Sequence, residues 1–472
     1  PLLKGERAFQ LEGPFAAFFH TLESQQPLNQ FRIIAFSLAY EMDYPVVLQM
    51  LKRAGIPLLA RERTHHDPLI LMGGVAAFYN PTVMAPVADL FLIGEGEELI
   101  PDFARAYAEH LDGGEGREEL LARLAGIEGA WVPAVHGLQP ESGRVRRRYI
   151  DLRKYPPASS VCVTPNTHLE MFMVEVGRGC GRGCRFCAAG HLYHPFRSWP
   201  LEEIIAEVER HAHPGDRIGL VGAALSDYSR LDQLCEQLLG RGHRISLSSL
   251  RADRISPVLL KAMTASDIRT VTLAPEAGTE RLRRVIRKHL SEEQILAAVD
   301  LIGQFHFRQI KLYFMIGLPT EQPEDLQGLV DLTRKAAALF CSRGSGRELR
   351  VSVNTFVPKP WTPFQWAGMA TEREIKSKRK MVIEALNRID GVSAGRKSGR
   401  EEVLQALFSI GTVEVGEALV RAVQENREWQ EIYGGFAGWI HRAKGPEELL
   451  PWDFIDNGLE KARLLKGWAE AQ

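Results

Sequence analysis

Residues 170–191 read EMFMVEVGRGCGRGCRFCAAGH. A short run of strand character enters a turn in which residues 177–187 hold four glycines, three arginines and three cysteines. The apolar run predicts a β-strand, and the glycines predict a loop at its C-terminal end. In parallel α/β folds that is the end where chemistry is carried out.

Downstream, "RIGLVG", "RISLSSL", "TVTLA", "QIKLYFM" and "RVSVNTFV" repeat the strand pattern, with helical stretches between them. Six strands in βα units predict a partial (β/α)6 barrel over 169–365, because right-handed crossovers put every helix outside. One helix start is explicit: in "SEEQ", Ser291 as N-cap and Gln294 three residues later make a capping box for a helix running toward Gln304. Residues 366–472, with "VGEALVRAVQENREWQEIYGGFAGWI", keep helical spacing and read as a helical C-terminal extension.

Upstream, "FRIIAFSLAYEMDYPVVLQMLKRAGIPLLARER" reads strand, helix, strand, with Val47, Leu48 and Leu51 on one helix face. "PLILMGGVAAFYNP" and "ADLFLIGEGEELIPDF" are buried-type strands that end in glycines, so 1–110 is expected to be an α/β domain with a Rossmann-like open sheet. "GEGEEL" lacks the third glycine of a dinucleotide fingerprint, which argues against a nicotinamide cofactor. Gly and Pro punctuate 111–168, which reads as a connecting segment. The chain begins with Pro in "PLLKGERAFQ", so the first domain is expected to lack part of its N-terminus.

With 58 basic and 59 acidic residues the chain has no overall charge that would select nucleic acid or an anionic membrane. No apolar run reaches the roughly 18 residues of a membrane span, and no secretory leader is visible. Six cysteines are too few for a disulfide framework, and Cys162, Cys235 and Cys341 stand apart from the cluster. A reducing cytoplasm is the expected setting.

Cys180, Cys184 and Cys187 have the spacing CxxxCxxC. A structural zinc would add a fourth Cys or His, and His191 and His194 are near enough in sequence, which leaves a non-catalytic zinc-stabilised binding module open. An iron-sulfur cluster held by three thiolates instead leaves one iron free to bind something else.

CxxxCxxC with Phe186 before the last cysteine resembles the signature of the radical S-adenosylmethionine superfamily, and the six βα units resemble its partial barrel. More narrowly, "AFSLAYEMDYPVVL", "GRGCRFCAAG", "APEAGTERLRRVI", "KLYFMIGLPTE", "FVPKPWTPFQW" and "LPWDFIDNGLEKARLLKG" resemble an uncharacterised family of that superfamily with a cobalamin-binding-like domain in front. The resemblance implies a [4Fe-4S] cluster on the three cysteines, whose open iron chelates S-adenosylmethionine. Reductive cleavage then gives a 5′-deoxyadenosyl radical that acts on an unidentified substrate, with an electron donor such as flavodoxin or ferredoxin.

Further positions resemble family contacts to S-adenosylmethionine. They are Phe186 in the motif, Val221, Gly222 and Ala223 in "GLVGAALSD", Ser249 and Arg251 in "SLSSLRAD", and Glu276 and Arg281 in "LAPEAGTERL". The acid usual in the second of these blocks is absent, so backbone carbonyls are expected to serve there. Arg178, Arg182 and Arg185 would raise the cluster potential or attract an anionic substrate if they do not simply face solvent. "FVPKPWTPFQW" is expected to be packing rather than a substrate wall.

In the first domain, Ser37, Gly73, Gly74, Gly94, Glu95 and Gly96 form turns that would line a corrinoid pocket. No Asp-x-His-x-x-Gly is present, and His20, His65 and His66 lack partners to orient them on a metal. Weak cobalamin binding or none is therefore expected, with cobalamin-dependent radical methyl transfer as the alternative. A tRNA methylthiotransferase is a further alternative, but it needs three N-terminal cysteines for a second cluster, and only Cys162 precedes the motif. The basic stretches 144–154 and 281–288 could favour RNA, although Arg281, Arg284 and Lys288 read as one solvated helix face.

Overall fold

The computed structural model describes residues 20–21, 24–113, 116–138, 145–162, 170–395 and 399–472. The first sheet has the order β1 (Ile33–Ser37), β2 (Leu69–Gly73), β3 (Leu90–Leu92), β4 (Ala130–Trp131). β1, β2 and β3 are parallel and β4 is antiparallel. Leu69 to Met72 and Leu90 to Leu92 are buried without alternation, as parallel strands covered on both faces must be.

One cover comes from the segment read as a connector. Within "HLDGGEGREE" the helix Gly96–Gly113 ends at Gly113 and Gly116 is the N-cap of the helix Arg117–Ala125, while Gly114 and Glu115 lie outside the described residues. Leu99, Phe103, Leu120, Leu121 and Leu124 pack there against Leu69, Leu71, Leu90 and Leu92. The same segment supplies β4, whose two residues are too short for any periodicity to reveal. The opposite face shares one core with the C-terminal helices: Ile70, Met72 and Phe91 belong with Leu407, Val415, Leu419 and Trp452.

β5 (Val145–Arg146) pairs in parallel with Ile455–Asp456 near the C-terminus. β6 (Ser159–Cys162) lies antiparallel to β7 (Met171–Arg178), the strand that carries the cysteine loop, and β8 (Arg197–Ser198) caps the end of β7. Then follow β9 (Arg217–Gly222), β10 (Arg244–Leu247), β11 (Thr270–Glu276), β12 (Gln309–Ile316), β13 (Glu348–Thr355) and β14 (Val392–Ala394). The pairing orders are β10-β9-β7-β6 and β11-β12-β13-β14, and a parallel bridge between Leu250 and Leu273 joins the two arcs. The six expected strands β7, β9, β10, β11, β12 and β13 therefore form the partial barrel.

Burial alternates along each long strand. On β12, Ile310, Leu312, Phe314 and Ile316 join the core under the helices, leaving Gln309, Lys311, Tyr313 and Met315 half-buried on the lumen face. The capping box forms as read, with Gln294 N–H donating to Ser291 Oγ at 3.0 Å and Ser291 N–H to Gln294 Oε1 at 2.9 Å. Trp361, Phe364 and Trp366 of "FVPKPWTPFQW" are buried as packing. Among the described residues no helix is long and apolar enough to cross a membrane.

Candidate functional site

Loops from four successive barrel strands meet at the C-terminal end of the sheet. The loop after β7 carries Cys180, Cys184 and Cys187. Gly179 at φ +87° starts its turn, and a Cβ there would strike the Tyr193 carbonyl oxygen, so only glycine fits. The loop is then tied down by backbone bonds. Cys187 N–H donates to Cys184 O at 3.2 Å, Arg185 N–H to Ile286 O at 3.0 Å, and Phe364 N–H to Arg185 O at 3.1 Å. His191 Nε2 donates to the Cys184 carbonyl at 3.1 Å, and burial holds its pKa down to about 4, so the ring is neutral.

The loop after β11 presents a buried pair, with Lys288 Nζ 3.1 Å from Glu276 Oε1. Glu276 is at φ +71° just past a bulge, and burial raises its pKa against the pull of Lys288. The sequence reading put Lys288 on a solvated helix face with Arg281 and Arg284. The helix instead stops at Val285, and left-handed backbone at Arg287 and His289 turns Lys288 inward. The loop after β10 brings Arg251, bonded to Asp253 Oδ1 at 2.9 Å and to the Lys288 carbonyl at 3.3 Å. From the loop after β9, the Ser226 hydroxyl accepts the Arg251 N–H at 3.2 Å.

These groups feel one another. Burial pushes the Cys184 thiol up to about 11; Cys187 and Cys180 add to the rise, while Lys288 and Arg251 oppose it. Burial also raises Cys187, with Cys180 and Glu276 adding and Lys288 opposing. Cys184 and Cys187, which resist ionisation, are poor free nucleophiles, whereas metal coordination deprotonates a thiol outright. The donor set thus fits a cationic iron-sulfur cluster. For the zinc reading, His194 Nε2 meets Arg463 Nη1 at 3.3 Å, while His191 gives its Nε2–H to the Cys184 carbonyl and keeps a buried Nδ1 without a hydrogen-bond partner. Among the described residues no group of three His, Cys, Asp or Glu closes on a single metal ion.

Phe186 is half-buried beside Leu282, Ile286 and Phe364. Val221 is 44% exposed at the end of β9, next to Gly222 and the exposed Ala223, and Ser249 is exposed after β10. Arg281 is placed elsewhere: its guanidinium pairs with Asp325 and donates to the Thr320 carbonyl at 2.9 Å.

The three motif arginines are all spoken for. Arg178 pairs with Glu175 at 2.9 Å and Glu97 at 2.5 Å, Arg182 with Asp227 at 2.9 Å, and Arg185 with Glu470 at 2.7 Å. They neither face solvent freely nor stand open to an anion. The stretch read as basic is folded in only in part, since Arg146, Arg153 and Lys154 are exposed. Arg147 is buried over Tyr149, with its guanidinium carbon 4.2 Å from the ring centroid, and Arg148 pairs with Glu98 at 3.1 Å. Arg144 lies outside the described residues.

In the first sheet, Ser37 is exposed at the end of β1, while Gly74 presses on the Leu38 backbone, where a Cβ would stand 2.6 Å from its oxygen. Gly94 abuts Arg148 O, which a Cβ would meet at 2.5 Å. Glu95 is buried, accepts Ile150 N–H at 2.8 Å and pairs with Arg197 at 2.5 Å, and Gly96 opens a helix. The third expected corrinoid turn is therefore filled by residues 148–150 of this chain. The sequence offered no signal for the Arg197 partner, 102 residues away.

A family model described as "Radical SAM proteins, N-terminal" matches residues 15–133, and one described as "Radical SAM superfamily" matches 174–333. An uncharacterized protein of Methanocaldococcus jannaschii is 28% identical over 433 residues, covering 88% of both chains. The ribosomal protein uS12 methylthiotransferase RimO of Pseudothermotoga lettingae is 28% identical over 176 residues, 34% of this chain and 41% of that one. Among solved structures, the cobalamin-dependent S-adenosylmethionine radical enzyme OxsB aligns over 94% of this chain and 70% of its own at 14% identity, with a TM-score of 0.47.

Proposed function

Since the chain belongs to the radical S-adenosylmethionine superfamily, we propose that Cys180, Cys184 and Cys187 hold its [4Fe-4S] cluster and that the loops around Glu276, Lys288 and Arg251 hold S-adenosylmethionine. The observation that carries this reading is the convergence of three mutually coupled thiols with Lys288 and Arg251 at the C-terminal end of the barrel. When bound, the cluster and S-adenosylmethionine supply a 5′-deoxyadenosyl radical. The chain's own work is to bind, orient and enclose. Gly179 and the His191 bond to the Cys184 carbonyl fix the loop, and Phe186 seats it against Ile286. Val221, Gly222, Ala223 and Ser249 form an open rim for the nucleoside, while Arg251 and the Glu276–Lys288 pair offer charged groups to the amino acid end. Arg281 acts at one remove, bracing the loop after β12 through Asp325.

The substrate is unidentified, and the reaction needs a reductant, for which a cytoplasmic flavodoxin or ferredoxin is suited. The first sheet serves as a wall of the enzyme, since its third glycine turn is occupied by the chain itself. We therefore place radical chemistry without cobalamin ahead of methyl transfer. Anaerobic reconstitution, iron and sulfide analysis, and mass spectrometry of the products test the reading. About four irons per chain with methionine and 5′-deoxyadenosine support it; zinc without iron, or S-adenosylhomocysteine as the only product, overturns it.

A further inference from the structure

We propose that Lys311 and Arg350, side by side on the lumen face of the barrel, seat an anionic group of the substrate, a carboxylate or a phosphate. The inference rests on the reading of the barrel as the reaction chamber. Lys311 of β12 is in register with Arg350 of β13, so two cations occupy neighbouring strands at one level. Their sequence neighbours Ile310, Leu312, Leu349 and Val351 are packed in the core under the helices, and strand alternation turns Lys311 and Arg350 to the opposite, lumen face. Like charges directly opposite on adjacent strands destabilise a sheet. Here no carboxylate relieves them among the described residues, although nearly every other arginine near the site is paired.

The surroundings define what would fit. One pleat below, the Glu348 carboxylate is taken by Gln309, which in turn meets Thr270 at 3.4 Å. One pleat above stand Tyr313 and Ser352, then Asn354. Across the lumen the wall changes character: Met171 and Met173 lie over Gly219, so that a Cβ there would meet Met171 sulfur at 2.7 Å. The chamber thus sets a cation pair and hydroxyl groups against a methionine surface. Five residues separate Lys311 from the end of β12, about 16 Å at the rise of a strand. A substrate anchored at the pair and reacting at the mouth is therefore extended, with an anionic foot and a partly apolar body.

Calorimetric titration of the reconstituted protein with inorganic pyrophosphate and, separately, with succinate tests this. At least one probe is expected to bind saturably, and which of them does so separates a phosphate from a carboxylate foot. Lys311→Met/Arg350→Met is expected to weaken that binding by at least about tenfold. The charge-conserving Lys311→Arg retains it and guards against a variant that merely misfolds, and Lys335→Met on the outer surface is the control. Equal binding by the double variant, or no binding of either probe by the wild type at millimolar concentration, overturns the inference. Substrate-free cleavage of S-adenosylmethionine by the wild type is measured in parallel. Cleavage without anion binding defeats this inference alone, whereas no cleavage by a cluster-loaded protein defeats the reading beneath it.

Discussion

At the scale of single residues, the site is a set of buried charges that tolerate little editing. Lys288 and Glu276 are 10% and 15% exposed and lie within the field of the thiols, so removing one strands the other. Lys288→Met should cost about 3 kcal/mol in urea denaturation of the cluster-free protein. Adding Glu276→Gln should recover part of that loss, which a double-mutant cycle reads directly. Asp325 gives the pH counterpart. Burial, acting alone, would raise its pKa, but the Thr279 hydroxyl, the Gln322 N–H and Arg281 outweigh it and hold the pKa below the usual carboxylate range. A depressed carboxyl contributes stability at neutral pH and loses it as pH falls through the folded-state value. Asp325→Asn is therefore expected to cost about 1.5 to 3 kcal/mol at pH 7, with the gap to wild type closing below about pH 4.

At the scale of elements, the barrel is held in shape by close approaches of backbone. Gly278, in the turn after β11, faces the helix Pro323–Phe340 so tightly that a Cβ would stand 2.6 Å from Leu329 Cα. Gly278→Ala should push strand and helix apart and cost about 1 to 3 kcal/mol, seen as a lowered urea midpoint with an unchanged slope. Elements of this kind were largely legible beforehand. The strands announced themselves by apolar runs, the helix after Ser291 by its capping box, and the turn after β7 by its glycines. What stayed hidden had no local cause. The two residues of β4 are strand only because β3 offers an edge. Lys288 leaves its helix through left-handed turns at Arg287 and His289, and the arginine gives no warning of positive φ. The fates of Arg182 and Arg185 depend on Asp227 and Glu470, 45 and 285 residues on. Periodicity cannot report a partner at such separation.

At the scale of the whole molecule, the C-terminal extension is no appendage to the barrel. Its helix Val413–Gln424 lies on the turn Thr82–Met84, and a Cβ on Gly416 would stand 2.9 Å from Val83 carbonyl carbon. Gly416→Ala should loosen both ends of the chain at once. Hydrogen exchange is the check: protection of β2 and of Val413–Gln424 should fall together while β12 keeps its own, and independent behaviour of the two would show that the shared core is not cooperative. The shared core also sets an order of events during synthesis. The first three strands are complete at Leu92, yet the helix that covers them begins at Val413. At about 5 to 20 residues per second the ribosome needs roughly 15 to 65 s to bridge that gap. Through that interval the apolar face of the first sheet stays uncovered, and it is still uncovered when the last of the six barrel strands is complete at Thr355.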